Sequence, residues 1–281
     1  MVDRVVGVAT VCGMLGGMCS VAGAHEFWVQ PDRFRVGVGG LVRVELHHGE
    51  RFAGEVVPRD DTMIERFELV AGDVATPVRG LHAMDQGFLR PASAGGATIV
   101  YETREFVNVL PADRFEAYLA EEGLEEISRR RADLGETGAI GREAYVRCAK
   151  ALVTVEERGD DAGGAAASDG RAEATVAVPH DAPIGLPCEI VLLSCETANG
   201  GVAIRAEVLF EGEALGGVRV VAVAASAHEE LIELETDEHG QVEFVAERGG
   251  PWLLTTLHMT RTDDRDDVDW KSYWASVAFE L

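Results

Sequence analysis

The chain has 281 residues, 49 acidic against 25 basic, and a formal net charge of −24. A surface this acidic repels phosphate backbones, which excludes nucleic acid as a partner. The length suits two domains or one large one.

The first 24 residues have the three parts of a secretory signal. A short charged start (Met1-Val2-Asp3-Arg4) precedes an apolar stretch at 5–21, and the small-x-small sequence Ala22-Gly23-Ala24 closes it. The apolar stretch is glycine-rich and too short for a comfortable bilayer span. Cleavage after Ala24 is expected to release a periplasmic or secreted protein that starts at His25, with no membrane insertion once the signal is gone. Cys148, Cys188 and Cys195 then remain. An odd number outside the cytoplasm implies at most one internal bridge. None belongs to a CxxC pair, so burial or a single disulfide is expected in place of a metal–thiolate site.

After the leader, apolar and polar residues alternate with period two. Val42, Val44 and Leu46 alternate with Arg43, Glu45 and His47, and Ala149, Ala151, Val153 and Val155 continue the pattern. Val218, Val220 and Ala222, then Val242 and Phe244, repeat it. This predicts antiparallel sheets with one face on a core. Helical spacing replaces it from Pro111, where Phe115, Tyr118, Leu119 and later Ile127 recur, with Gly123 dividing two short helices. Arg129, Arg130 and Arg131 supply favourable charge at the end of this region. Low-complexity residues 158–171 predict a mobile surface loop.

The fold class expected is mainly β: two immunoglobulin-like or transthyretin-like β-sandwich domains, with a small helical insertion in the first. The N-terminal sandwich covers 25–182, with its insertion at about 111–143, and the C-terminal sandwich covers 183–281.

His25 is chemically distinctive because cleavage frees its α-amine, whose pKa is about 7.7–8.0. The amine and the imidazole can close one chelate ring on a metal ion, an arrangement that suits Cu(II) or Ni(II). Further ligands must come from elsewhere. The candidates are His258, at the end of the apolar strand 252–257, His48 at a strand end before Gly49, and His82 in a loop. His47 and His48 point to opposite faces of a strand, so only one can join a site. His180, His228 and His239 sit in polar turns and read as surface residues. The run 263–269 lacks the glycine and terminal Glu of a calcium loop and reads as a solvated turn. Glu121-Glu122 and Glu125-Glu126 fall on a helical surface and read as solvent-facing. No nucleophile elbow, zinc-protease motif, phosphate loop or dinucleotide fingerprint occurs, so no enzymatic activity is expected.

Ala24-His25-Glu26-Phe27-Trp28-Val29-Gln30-Pro31 resembles the start of NikM-like exported proteins, a family of periplasmic nickel and cobalt uptake components. Gly49-Glu50-Arg51-Phe52, Phe115-Glu116-Ala117-Tyr118-Leu119, Arg147-Cys148-Ala149-Lys150 and Asp269-Trp270-Lys271-Ser272-Tyr273-Trp274 extend the resemblance over almost the whole mature chain. It implies an exported β-sandwich with a divalent transition-metal ligand set, in which His25 and His258 match the recurrent histidines.

The leading expectation is therefore a periplasmic Ni, Co or Cu binding protein that delivers its ion to a membrane metal transporter. The alternative is a metal-free scaffold of tandem sandwiches that binds a cell-envelope protein or polysaccharide. A copper oxidase built on an N-terminal His brace would require a second His in reach.

Overall fold

The computed structural model describes residues 26–84, 86–157 and 181–281. The expected leader, His25, His180 and the loop at 158–171 lie outside the described residues.

The first half holds β1 (Glu26–Pro31), β2 (Arg35–Gly37), β3 (Val42–Glu50), β4 (Ala53–Val57), β5 (Ile64–Ala71), β6 (Val74–Pro77), β7 (Gln86–Leu89), β8 (Gly95–Thr103) and β9 (Phe106–Leu110). Helices α1 (Ala112–Glu121) and α2 (Glu125–Asp133) lead into the long β10 (Gly141–Glu156). The second half holds β11 (Cys188–Ala198), β12 (Gly201–Phe210), β13 (Glu213–Ala214), β14 (Arg219–Ala224), β15 (Leu231–Glu235), β16 (Gln241–Ala246), β17 (Pro251–Arg261) and β18 (Trp270–Glu280).

These strands make three layers. A ten-stranded central sheet runs β15-β14-β17-β18-β10-β8-β5-β6, with β2 and β9 also on β10. One four-stranded sheet (β1, β3, β4, β7) covers one of its faces, and another (β11, β12, β13, β16) covers the other. The chain is thus mainly β, built of sheet-on-sheet sandwich packings with a small helical insertion.

The central sheet differs from the expectation of one buried face. On β10, Ala149, Ala151, Val153 and Val155 pack toward the β1 layer, while Cys148 and Leu152 pack toward the β11 layer. A strand covered on both faces reads as a near-continuous buried run. The expected boundary at 182/183 falls between β10 and β11, yet β18 pairs parallel with β10 from Glu143↔Trp270 to Ala151↔Ala278. The two halves therefore share one sheet.

The helical pair forms where the spacing placed it. Pro111 caps α1, and Phe115, Tyr118 and Leu119 present one apolar stripe. That stripe meets Leu257, Met259 and Trp270 at the end of the central sheet, on the same face as the β1 layer. Gly123, at φ +71°, ends α1 in the left-handed region. Gly141 lets Phe115 lie directly on the backbone, because a Cβ there would stand 2.1 Å from the ring. Arg131 does more than complement a helix end. It is buried, pairs with Glu116 at 2.7 Å, donates to the carbonyls of Glu136 and Ala139, and lies 4.8 Å over the Phe115 ring.

Residues 263–269 are held by ion pairs. Arg142 grips Asp269 with two nitrogens, and Arg265 pairs with Asp267 and Glu105. Among the described residues the cysteines are free; Cys148 and Cys188 are buried and Cys195 is partly exposed. No described helix is long and apolar enough to cross a membrane.

Candidate functional site

The helical insertion and the β1 layer stand side by side on the same face of the central sheet, and a gap remains between them. It is a cavity of about 610 Å³. Glu26, Glu50 and Arg51 come from the β1 layer, and Glu121 and Glu122 from the end of α1. The floor is Arg219, Val221, Glu233, Thr255, Leu257 and Trp274 of the central sheet. Five carboxylates thus face two guanidiniums.

The cations are already engaged. Arg219 donates to Glu233 at 2.9 Å and to the Glu121 carbonyl at 3.2 Å, and its Nε is buried without a partner among the described residues. Arg51 pairs with Glu229 at 3.2 Å. Glu122 and Glu26 carry the strain of the site. Burial pushes the Glu122 carboxyl up to about 7, with Glu26, Glu121 and Glu143 repelling its charge and Arg219 only partly offsetting them. Burial raises Glu26 as well, against backbone N–H donation from Phe52 and Arg51, and Glu50 adds repulsion.

Glu26 also holds a strained turn. Glu50↔Ala53 closes the β3–β4 hairpin through Arg51 (φ 54°) and Phe52 (φ 60°), both left-handed without being glycine. Such turns ordinarily take Asn and Gly. The Phe52 N–H donates to Glu26 at 3.2 Å, and the buried Phe52 ring packs edge-on against Trp28 at 5.5 Å. Gly49 and Gly54 face each other at the base, where a Cβ on Gly49 would meet the Ala53 carbonyl oxygen at 2.2 Å. Strained backbone kept in place by surrounding contacts is characteristic of functional sites.

The described histidines proposed as ligands lie on separate parts of the fold. His48, half-buried on β3, sits opposite Phe27 on one side and Glu55 on the other. Its neighbour His47 stacks on Trp28 at 5.3 Å and lies 3.2 Å from Glu45. His82, exposed, accepts the Asp61 N–H at 3.3 Å and lies 3.7 Å from Asp60. His258 faces the β11 layer, its ring 4.6 Å from Phe210, and burial lowers its pKa. Its neighbour Leu257 faces the cavity instead. Among the described residues no group of three or more His, Cys, Asp or Glu side chains is arranged to hold a metal.

Glu26, Glu50, Glu122 and Arg219 were not picked out in the sequence as site residues. Glu121 is exposed as expected, whereas Glu122 turns half-buried into the cavity. The only local signal was that Glu122 immediately precedes the helix-ending Gly123, where the chain turns back onto the sheet.

The fold and cavity define a layered β-sandwich protein with an acidic cleft between its edge layer and a helical insertion. The chain belongs to the family described as Domain of unknown function (DUF4198), whose model matches residues 22–260. No curated protein matches it. Among solved structures, it is similar to the D0-D1 domain of intimin, at 11% identity and a TM-score of 0.22, covering 92% of this chain and 100% of that one. It is also similar to the D00-D0 domain of intimin, at 10% identity and a TM-score of 0.19, covering 91% and 98%.

Proposed function

We propose that this is an exported, periplasmic protein that binds a divalent transition metal, Ni(II), Co(II) or Cu(II), and presents it to a membrane transporter for uptake. The observation that supports this most is the position of Glu26. It lines the acidic cavity with Glu50 and Glu122, and it is the residue joined directly to His25.

On this reading the His25 amine and imidazole supply nitrogen donors, and a cavity carboxylate, Glu26 or Glu122, supplies an oxygen. A mixed imidazole and carboxylate set fits nickel or cobalt better than a thiolate set would. The carboxyl groups of Glu26 and Glu122 are raised by burial and mutual repulsion, and a cation would relieve both. His258 packs against Phe210 on the side of the β11 layer, away from this cavity.

Calorimetric titration of the leader-free protein with each ion at pH 7.5 tests the reading. One added alanine before His25, and separately Glu26→Gln with Glu122→Gln, should each weaken binding tenfold or more. Unchanged affinity in both variants, or no binding of any of the three ions, overturns it.

A further inference from the structure

A second group of charged residues lies on the far side of the central sheet, away from the cavity. Lys150 is on β10 and points between Cys148 and Leu152 into the β11 layer. Its side chain and that of Asp181 are 0% exposed, and that of Glu189 is 1% exposed. The Lys150 Nζ stands 3.1 Å and 3.0 Å from the two Asp181 oxygens and 3.4 Å from Glu189 Oε2. The amine nitrogen is thus in contact with the Asp181 carboxyl group, with a second acid touching the same nitrogen. Leu186, Cys188, Ile190 and Leu192 belong to the apolar core around them.

An ordinary buried ion pair would set one cation against one anion. Here, among the described residues, one ammonium faces two carboxylates, and each of these ions has given up its hydration. Glu189 accepts backbone N–H groups from Ile184 and Gly185 at 3.0–3.1 Å. Asp181 accepts N–H groups from Ala182 on one oxygen at 2.9 Å and from Leu192 on the other at 3.0 Å. Backbone donors on a carboxyl oxygen stabilise charge that develops there during attack on its carbon. Holding the two reactants in contact replaces a bimolecular encounter, an advantage that reaches effective molarities of about 10⁵ M and above.

We propose that Lys150 and Asp181 condense into an intramolecular isopeptide bond, with Glu189 relaying the proton. Glu189 takes a proton from the ammonium and passes it to Asp181, which gives a neutral amine beside a neutral acid. The Nζ lone pair attacks the Asp181 Cγ, and the nitrogen–carbon bond forms. The carbon–oxygen bond to the former hydroxyl then breaks. That oxygen leaves as water with its own proton and the amine proton relayed by Glu189, which ends as the carboxylate it began as. The step needs neither oxidant nor cofactor. Its product is a neutral amide that ties β10 of the central sheet to the segment entering β11, and it is independent of the metal reading.

Mass spectrometry of the purified full-length protein, expressed with its leader, decides this. The polypeptide should be one water lighter than its sequence, and tryptic digestion should yield a branched peptide joining 148–158 to 172–205. Lys150 inside that peptide resists trypsin because its amine is acylated. Loss of water without the branched peptide, or full mass with cleavage after Lys150, overturns the proposal. Glu189→Gln should have full mass, and a cross-link formed in that variant would overturn the role given to Glu189. The wild-type result stands whether or not the variant folds.

Discussion

Glu122→Gln isolates the electrostatic cost of the cavity. The carboxyl rises from 4.5 to about 7 because burial and the neighbouring acids penalise its charge. A rise of that size corresponds to about 3 kcal/mol of interaction, and solvent screening at a group that is only partly buried reduces it to on the order of 1–2 kcal/mol. The sign follows from linkage. A carboxyl whose folded pKa is raised costs nothing below about 4.5, where it is protonated in both states. It costs stability increasingly as pH rises to about 7, and the full amount above that. In the presence of chelator, Glu122→Gln should therefore be more stable than wild type at pH 8 by on the order of 1–2 kcal/mol, and indistinguishable at pH 4.5. Urea denaturation at both pH values measures this. A variant no more stable at pH 8, or equally stabilised at pH 4.5, would refute the claim that charge is strained at this site.

Other outcomes follow from the packing. Phe115→Ala should cost about 3–5 kcal/mol, since a fully buried ring is lost from the helix–sheet contact; thermal unfolding measures it, and a loss under about 1 kcal/mol would contradict the docking described. Gly141→Ala should destabilise by about 1–3 kcal/mol, because the new methyl group overlaps the Phe115 ring; a neutral effect in the same assay would contradict it. Gly49→Ala should open the β3–β4 hairpin and weaken Ni, Co and Cu binding together with stability; full affinity in a calorimetric titration would separate the strained turn from the site. The Cys148 thiol is pushed up to about 12 by burial, and that of partly exposed Cys195 to about 11. A thiol reagent at pH 8 should therefore label Cys195 first in the native protein, and earlier labelling of Cys148, seen by peptide mapping, would contradict the burial.

Much of the architecture was legible because it is local. The alternation at Val42, Val44 and Leu46 became β3, and Pro111, Phe115 and Gly123 marked the helical pair. What was not legible depends on contacts between distant segments. The parallel pairing of Glu143 with Trp270 has no signature in either strand, so the shared sheet could not be read from the chain. The same holds for the cavity. Glu26 and Glu122 each look like ordinary solvent-facing acids, and only the docking of α1 beside β1 brings their charges together. His258 shows how one residue of strand parity decides a role: its neighbour Leu257 meets the cavity, while the histidine meets Phe210. Lys150 was similarly hidden, within a stretch read for its odd-numbered apolar residues.

The most direct test of the account is native mass spectrometry of the protein isolated from the periplasm without chelator or affinity tag. The account predicts a chain beginning at His25 that carries one nickel, cobalt or copper ion, which is lost when an alanine precedes His25. A chain beginning at His25 that remains metal-free after dialysis against all three ions would contradict it.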